Sequence, residues 1–317
     1  MGKDERKISN LKVVFFSESQ VSGNIPRTFE NARTEYAWMM ALNAPHYNIN
    51  NIPTEHFDLG IVIIPKNNPQ VDLNKMRKIC DKVAVMQEGP HWYFQDYQLD
   101  KQFHYYNTLI EADWIYCHNK SDVNYYKGLG CEDVRVMRSL MIPEGLLPRS
   151  EWGDVTIIGG NFVSWYGGFD SYIVAREIGD PIYAPSMGRK QEQEDAIEDI
   201  HYMAYMSWRE WINALSDFNI GVHLMRTHAA GTFAMNCAFH GIPCIGYKGL
   251  DTQEELHPYL SVSDGDIEKA KYLAKELKND DGFYKECSVT CRELYEKSLS
   301  TEKNFVPYIT KIFEGLL

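Results

Sequence analysis

Residues 228–243 read HAAGTFAMNCAFHGIP. The stretch has no lysine, arginine, aspartate or glutamate, yet it holds two histidines, two glycines, an asparagine and a cysteine. Three readings compete: a metal site, a buried helix, and a helix N-terminus that meets a ligand. The flanking residues decide. FNIGVHLM (218–225) is an apolar run of strand type, and IPCIGY (242–247) is another. Between two buried strands, the segment becomes a loop followed by a helix. Gly231 and Thr232 fall at the helix N-terminus, the helix runs to Phe239 or His240, and Gly241 ends it. A helix N-terminus at the carboxyl edge of a sheet presents N–H groups and a positive dipole end, which attract an anion. Any αβ repeat has such an edge, so the stretch specifies the fold more sharply than the ligand.

The metal reading fails on spacing. His223, His228, Cys237, His240 and Cys244 match no C-x-x-C or H-x3-H frame. DGD at 264–266 precedes a strongly patterned helix and is better explained as an N-cap than as an acidic metal motif. No metal is expected.

The same alternation extends upstream. LKVVFFSES (11–19) is a buried strand, QVSGNIP a glycine-bearing loop, and a helix is expected from about Thr28 to Asn43. FDLGIVIIP (57–65) is a near-continuous apolar run, as expected of a parallel strand covered on both faces. LNKMRKICD reads as helix, KVAVMQEG as strand, LDKQFHYYNTLIEA as helix, DWIYCHN as strand, and EDVRVMRSLM as strand after a short helix ending at Gly128. IPEGLLPRSEWG (142–153), with two prolines and two glycines, interrupts the pattern as a linker. The pattern restarts with DVTIIGGN, the helix FDSYIVAREIG and the strand DPIYAP. SMGRKQEQEDAIEDI reads as a polar loop with a short helix, and SWREWINAL (207–215) opens on a capping box of Ser207 and Glu210. A later helix buries Ile267, Ala270, Leu273, Ala274 and Leu277, and the last 35 residues are helical in pattern.

These units specify an α/β chain of two Rossmann-like doubly wound domains facing a cleft. The expected domains are 1–145 and 146–300, with a C-terminal helix at 301–317 crossing back to the first. At 317 residues the chain exceeds what one core usually supports, roughly 250–300 residues. With 32 basic and 44 acidic residues the net charge is −12, which repels nucleic-acid phosphates and anionic lipid except at a local basic patch. KMRKICDK (75–82) is read as one solvated helix face. No signal-peptide pattern occurs, and no apolar run approaches the ~20 residues of a membrane span. Seven scattered cysteines fit free thiols in a reducing, cytoplasmic setting, with Cys287 and Cys291 as two buried thiols one helical turn apart.

NCAFHGIPCI (236–245) resembles the run EAMACGKPVI found in glycosyltransferases of the GT-B fold, particularly their large retaining group. That group carries a glutamate, a glycine three residues later, and a second glutamate eight residues after the first. Here those positions hold His228, Gly231 and Asn236. VTIIGGNFVSWYGGFDSYIVAREI (155–178) is similar to the strand, glycine turn and helix opening the family's donor domain. YMSWREWINALSDFNIGVHL (205–224) and SVSDGDIEKAKYLAKEL (261–277) resemble the segments before and after the motif. The resemblance covers about 155–280 and extends to the first half by architecture.

The resemblance implies roles for named residues. Asn236 replaces the glutamate that holds the donor ribose and keeps hydrogen-bonding capacity. His228 faces the transferred sugar, while Gly231 and Thr232 meet the diphosphate. The family's arginine and lysine after the glycine turn are missing from GGNFVSWYGG, so Arg189, Lys190 or Arg226 must neutralise the leaving diphosphate. Gly23 lies in the loop after the first strand, where the family places glycine beside the diphosphate. His91 contacts the sugar or acts on the acceptor, and Glu88 is a candidate base for an inverting mechanism. The alternative for His91 is packing in an aromatic cluster with Trp92, Tyr93 and Phe94. NARTE (31–35) projects polar groups from the first helix, toward the acceptor on this reading.

The implied function is metal-independent, cofactor-free transfer of a sugar from a nucleotide-sugar donor to a hydroxyl acceptor. A glycan or small-molecule acceptor suits the acidic surface. A hydroxymethylated base in DNA, the acceptor of phage enzymes of this fold, needs a basic groove. The competing class is a non-catalytic nucleotide-sugar-binding or interaction module, favoured by the replaced glutamates and the missing clamp. A nucleotide-sugar epimerase finds no set of catalytic carboxylates.

Overall fold

The computed structural model describes residues 11–65, 70–87, 89–150, 155–179, 181–185 and 192–314. Glu88, Arg189 and Lys190 lie outside the described residues. The chain forms two compact units: one of residues up to Phe29, Arg33–Ile142 and Glu302 onward, the other of Glu30–Ala32 and Pro143–Thr301. Each contains a six-stranded, wholly parallel sheet.

In the first unit the strands are β1 (Val13–Ser17), β2 (His46–Asn48), β3 (Phe57–Ile64), β4 (Cys80–Gln87), β5 (Trp114–Cys117) and β6 (Val134–Val136). Their spatial order is β2-β1-β3-β4-β5-β6. The helices are α1 (Thr34–Leu42), α2 (Leu73–Met76), α3 (Leu99–Glu111), α4 (Lys120–Gly128) and α11 (Glu302–Glu314). The central strands are apolar almost throughout because neither face of a covered parallel sheet meets water.

Two expectations need correction here. The helix expected from Thr28 begins only at Thr34. Arg33 forms an antiparallel bridge with Met141, and the Thr34 N–H donates to Leu140 O at 2.8 Å, so a distant segment holds the chain extended up to that point. The NARTE segment is therefore partly a bridge, with Ala32 and Thr34 buried. The helix expected over 73–81 is only the four residues of α2, capped by Asp72, and the chain enters β4 at Cys80. Lys75, Arg77, Lys78 and Lys82 remain exposed.

The second unit contains β7 (Val155–Ile158), α5 (Gly168–Ala175), β8 (Ile182–Pro185), β9 (Ile200–Met203), α6 (Trp208–Leu215) and β10 (Phe218–His223). It continues with α7 (Thr232–His240), β11 (Cys244–Tyr247), α8 (Asp251–Leu256), β12 (Ser261–Val262), α9 (Ile267–Asn279) and α10 (Asp281–Lys297). Its strand order is β12-β11-β10-β7-β8-β9, so the direction of winding reverses between β7 and β10. Successive strand residues point to opposite faces. Ile157 accordingly joins Phe218, Phe233 and Cys237 on the α6–α7 side. Ile158 joins Val174, Ala270 and Leu273 on the α5–α9 side.

Local signals hold well in this unit. Ser207 Oγ accepts from the Glu210 N–H and Glu210 Oε2 accepts from the Ser207 N–H at 2.8 Å, closing the capping box. Asp266 caps α9 by accepting from Lys269 N at 3.0 Å, which accounts for DGD without a metal. All seven cysteines, Cys287 and Cys291 included, are buried free thiols. Among the described residues no helix is long and apolar enough to cross a membrane.

Candidate functional site

In a doubly wound sheet, ligands bind beyond the carboxyl ends of the two strands flanking the reversal. Those strands are β7 and β10, and they deliver Gly159 and His223 side by side. A Cβ on Gly159 would lie 2.3 Å from the His223 ring, so only glycine lets the imidazole lie against this turn. The ring also meets Phe233 of α7 edge-on, with centroids 5.1 Å apart. His223 Nε2 is buried and has no hydrogen-bond partner. Burial pulls the His223 pKa down to about 4, so the imidazole is neutral near pH 7.

The α7 N-terminus is the second component. Gly231 occupies its N-cap position in the left-handed conformation, φ 64°, and as a glycine brings no capping side chain of its own. A Cβ at Gly231 would fall 2.1 Å from Thr252 Oγ1, whose hydroxyl donates to Gly231 O at 2.8 Å. Glycine is thus required there twice, by dihedral angle and by space. Thr232 follows at the first helical position, half-buried, with no acidic residue in the turn. Such an end is suited to an anion.

Arg226 lies between β10 and this helix. Its Nε donates to Asp264 Oδ1 at 2.7 Å, its Nη2 lies 3.2 Å from Asp170 Oδ2, and its guanidinium sits 5.6 Å over the Tyr247 ring. Tyr247 O–H donates to the same Asp170 oxygen at 2.9 Å. This cation is thus already engaged by two carboxylates. His228 is half-buried and packs on Gly249, where a Cβ would lie 2.1 Å from its Nε2.

Asn236 turns out differently from its expected role. It is 1% exposed, its amide oxygen accepts from Trp211 Nε1 at 3.2 Å, and its nitrogen donates to Thr232 O at 3.2 Å. Both polar ends are occupied within the protein, so this arrangement has Asn236 bracing α7 against α6 instead of presenting an amide to a ribose. Gly23 is likewise committed. Its N–H donates to His46 O at 2.8 Å and its carbonyl accepts from His46 N at 3.0 Å, so its N–H is not offered to a phosphate.

His91 is well ordered chemically. It follows β4, and its Nδ1 lies 3.2 Å from Asp122 Oδ1 in the first turn of α4. Asn119 Nδ2 donates to the other Asp122 oxygen at 3.3 Å, and the His91 ring lies tilted against Tyr125 with centroids 4.0 Å apart. A carboxylate on Nδ1 favours the tautomer with the proton there and leaves the Nε2 lone pair as a base. Trp92 and Tyr93 lie tilted to each other with centroids 6.2 Å apart, whereas Phe94 stacks on Tyr105, so the aromatic neighbours in sequence do not enclose His91.

Sequence reasoning missed Asp122, Asn119 and Asp170, whose importance comes from partners distant along the chain, and read Asp264 only within a capping motif. It noticed His223 only as a metal candidate. Among the described residues no three His, Cys, Asp or Glu side chains gather as metal ligands would. His240 is instead bonded at Nδ1 by the Arg149 N–H (3.0 Å) and at Nε2 to Ile212 O (2.8 Å).

No protein-family model matches the chain, and no curated protein matches it by sequence. Solved structures do match by fold. Sucrose-phosphate synthase from Thermosynechococcus elongatus superposes with a TM-score of 0.71 at 10% identity, over 96% of this chain and 99% of that one. Anabaena HepE in complex with UDP-glucose gives 0.68 at 9% identity, over 96% and 100%. An alpha-glucosyltransferase in complex with UDP-glucose and DNA containing an abasic site gives 0.61 at 13% identity, over 95% and 98%. The chain has the GT-B fold of these glycosyltransferase structures.

Proposed function

We propose that this protein is a glycosyltransferase that moves a sugar from a nucleoside-diphosphate sugar to a hydroxyl acceptor. The observation carrying this reading is the GT-B fold with a glycine-started α7 beside the β7–β10 reversal, where Gly159, His223 and Gly231 meet. Backbone N–H groups at that end meet the diphosphate and stabilise its charge as the glycosidic bond breaks. Thr232 and His228 flank it, and Arg226 joins by exchanging a carboxylate for a phosphate. Arg189 and Lys190 are candidates for the remaining positive charge. This scheme uses neither a metal nor a cofactor.

The second unit takes the donor and the first handles the acceptor. There His91 Nε2 accepts the proton of the attacking hydroxyl, and Asp122 holds the ring and stabilises the imidazolium that forms. Glu88 is the alternative base. The net charge of −12 favours a glycan or small-molecule acceptor over DNA. The fold shared with a DNA-bound glucosyltransferase keeps hydroxymethylated DNA as the acceptor to test against. Seven buried free thiols support a cytoplasmic location.

The test is direct. Thermal-shift titration with UDP, GDP and UDP-glucose finds the donor, and mass spectrometry then follows donor hydrolysis and transfer to glycans and to hydroxymethylated DNA. His91→Ala is expected to lower transfer by about 10²–10⁴-fold with donor affinity retained. If no nucleotide or nucleotide sugar shifts the melting temperature, the proposal fails. The engagement of Arg226 by Asp170 and Asp264 favours a second reading, a binding module without turnover. Tight donor binding with neither hydrolysis nor transfer would select it.

A further inference from the structure

The second unit carries another concavity, of about 470 Å³, lined by Phe162, Phe169, Tyr172, Glu198 and Asp199 among others. Its apolar wall starts at Phe162, three residues past Gly159, and its other side is acidic. Its acidic rim leads into β9, which lies three strands from β10, or about 14 Å at ordinary strand spacing. Phe169 is 64% exposed, a large apolar ring turned to solvent at the start of α5. Phe162 and Tyr172 lie beside each other with centroids 5.9 Å apart.

The polar edge narrows the ligand's chemistry. Tyr172 O–H donates to Asp199 Oδ2 at 3.0 Å, and Arg176 Nε approaches the same oxygen at 3.9 Å. The Arg176 guanidinium lies 5.8 Å from the Tyr172 ring centroid. An anion arriving here meets the carboxylates of Glu198 and Asp199. An organic cation meets Arg176, which already uses Tyr172 and Asp199. A neutral hydroxylated ring conflicts with neither: its hydroxyls donate to carboxylate and accept from guanidinium, and its C–H face covers an aromatic ring.

We infer that this concavity binds a neutral sugar residue of a glycan chain. Phe169 is the platform, and Asp199 with Arg176 reads the hydroxyl edge. The site belongs to the glycan whether or not the donor reading holds, and it gives the protein a second grip on a polymeric carbohydrate.

Calorimetric titration of the full chain with maltohexaose, cellohexaose and chitohexaose tests this, with inorganic phosphate and tetramethylammonium chloride as charged probes. At least one oligosaccharide is expected to bind with a millimolar Kd. Phe169→Ala should weaken it at least fivefold, Asp199→Asn should weaken it too, and both variants should keep the wild-type melting temperature and response to UDP-glucose. The inference is overturned if no oligosaccharide binds at about 10 mM. It is equally overturned if Phe169→Ala binds like wild type, or if that variant loses phosphate or tetramethylammonium instead of sugar. Oligosaccharide binding without any UDP-glucose binding would leave this site standing and remove the donor reading.

Discussion

The two ends of α7 are built in opposite ways. At the carboxyl end Gly241 turns left-handed, and Arg149 reaches in to donate to His240 O (2.9 Å), Phe218 O (2.7 Å), Gly241 O (2.7 Å) and Tyr284 Oη (2.9 Å). Arg292 adds a donor to Phe239 O. A cation at a helix C-terminus offsets the dipole as well as satisfying carbonyls. At the amino end the cap residue is Gly231, which has no side chain to offer. A helix buried along its whole length is thus finished by two arginines at one end and begun by a left-handed glycine at the other. The two ends stand about 13.5 Å apart on one element, since nine residues rise about 1.5 Å each.

Acid should have the largest effect. His240 lies in α7, His257 donates to Ala234 O of α7 (2.9 Å) and accepts from Cys244 N (3.3 Å), and His223 packs on Phe233. Burial lowers all three to about 4 from 6.5. Below 6.5 the unfolded chain binds protons that the native state refuses. Stability is therefore complete above 6.5 and falls as pH drops toward 4, by about 2 kcal/mol per histidine at pH 5. His46 in the first unit shifts in the same direction. Denaturant unfolding at pH 7 and pH 5 should show this loss and an uptake of two to three protons around α7, and equal stabilities would refute it.

Arg149→Ala comes next. It strands several carbonyls and should cost about 3 kcal/mol or more in unfolding free energy. A loss below about 1 kcal/mol would mean water replaces the guanidinium and the finished end is not special. Gly231→Ala follows, with an expected loss of about 1–3 kcal/mol from the left-handed backbone and the Thr252 clash. Adding Thr252→Ala should recover the steric part only. Smallest is Thr232→Asp, which places an anion in the first turn of α7. The melt should rise by the equivalent of about 0.3–1 kcal/mol while UDP-glucose affinity falls. A variant that gains stability and keeps its affinity would break the contrast.

The fold was legible where burial on both faces leaves an uninterrupted apolar run, as in FDLGIVII of β3. The helix boundaries of α7 were legible because Gly231 and Gly241 both adopt left-handed angles that glycine alone reaches easily. The edge strand β9, IHYM, was not, because an edge strand half in solvent has no such run. The start of α1 was also hidden, since Leu140 and Met141 determine it from far along the chain. The site divided the same way. Gly231 and Thr232 begin α7 where their positions indicated, and His228 packs on Gly249. Asn236 faces Trp211 instead of the edge, a matter of which helix packs alongside. The His91–Asp122 pair joins α4 to the loop after β4, and no local pattern announces it.

The last helix has a consequence for anyone trimming this chain. Arg27 pairs with Glu302, Tyr308 O–H donates to Val136 O (2.9 Å), and Arg135 reaches Ile312 O (3.4 Å). Removing the tail after Thr301 would therefore injure the sheet built from the opening residues and spare the one just before the cut. Activity lost by such a shortened protein would report damage to the unit nearest the amino terminus.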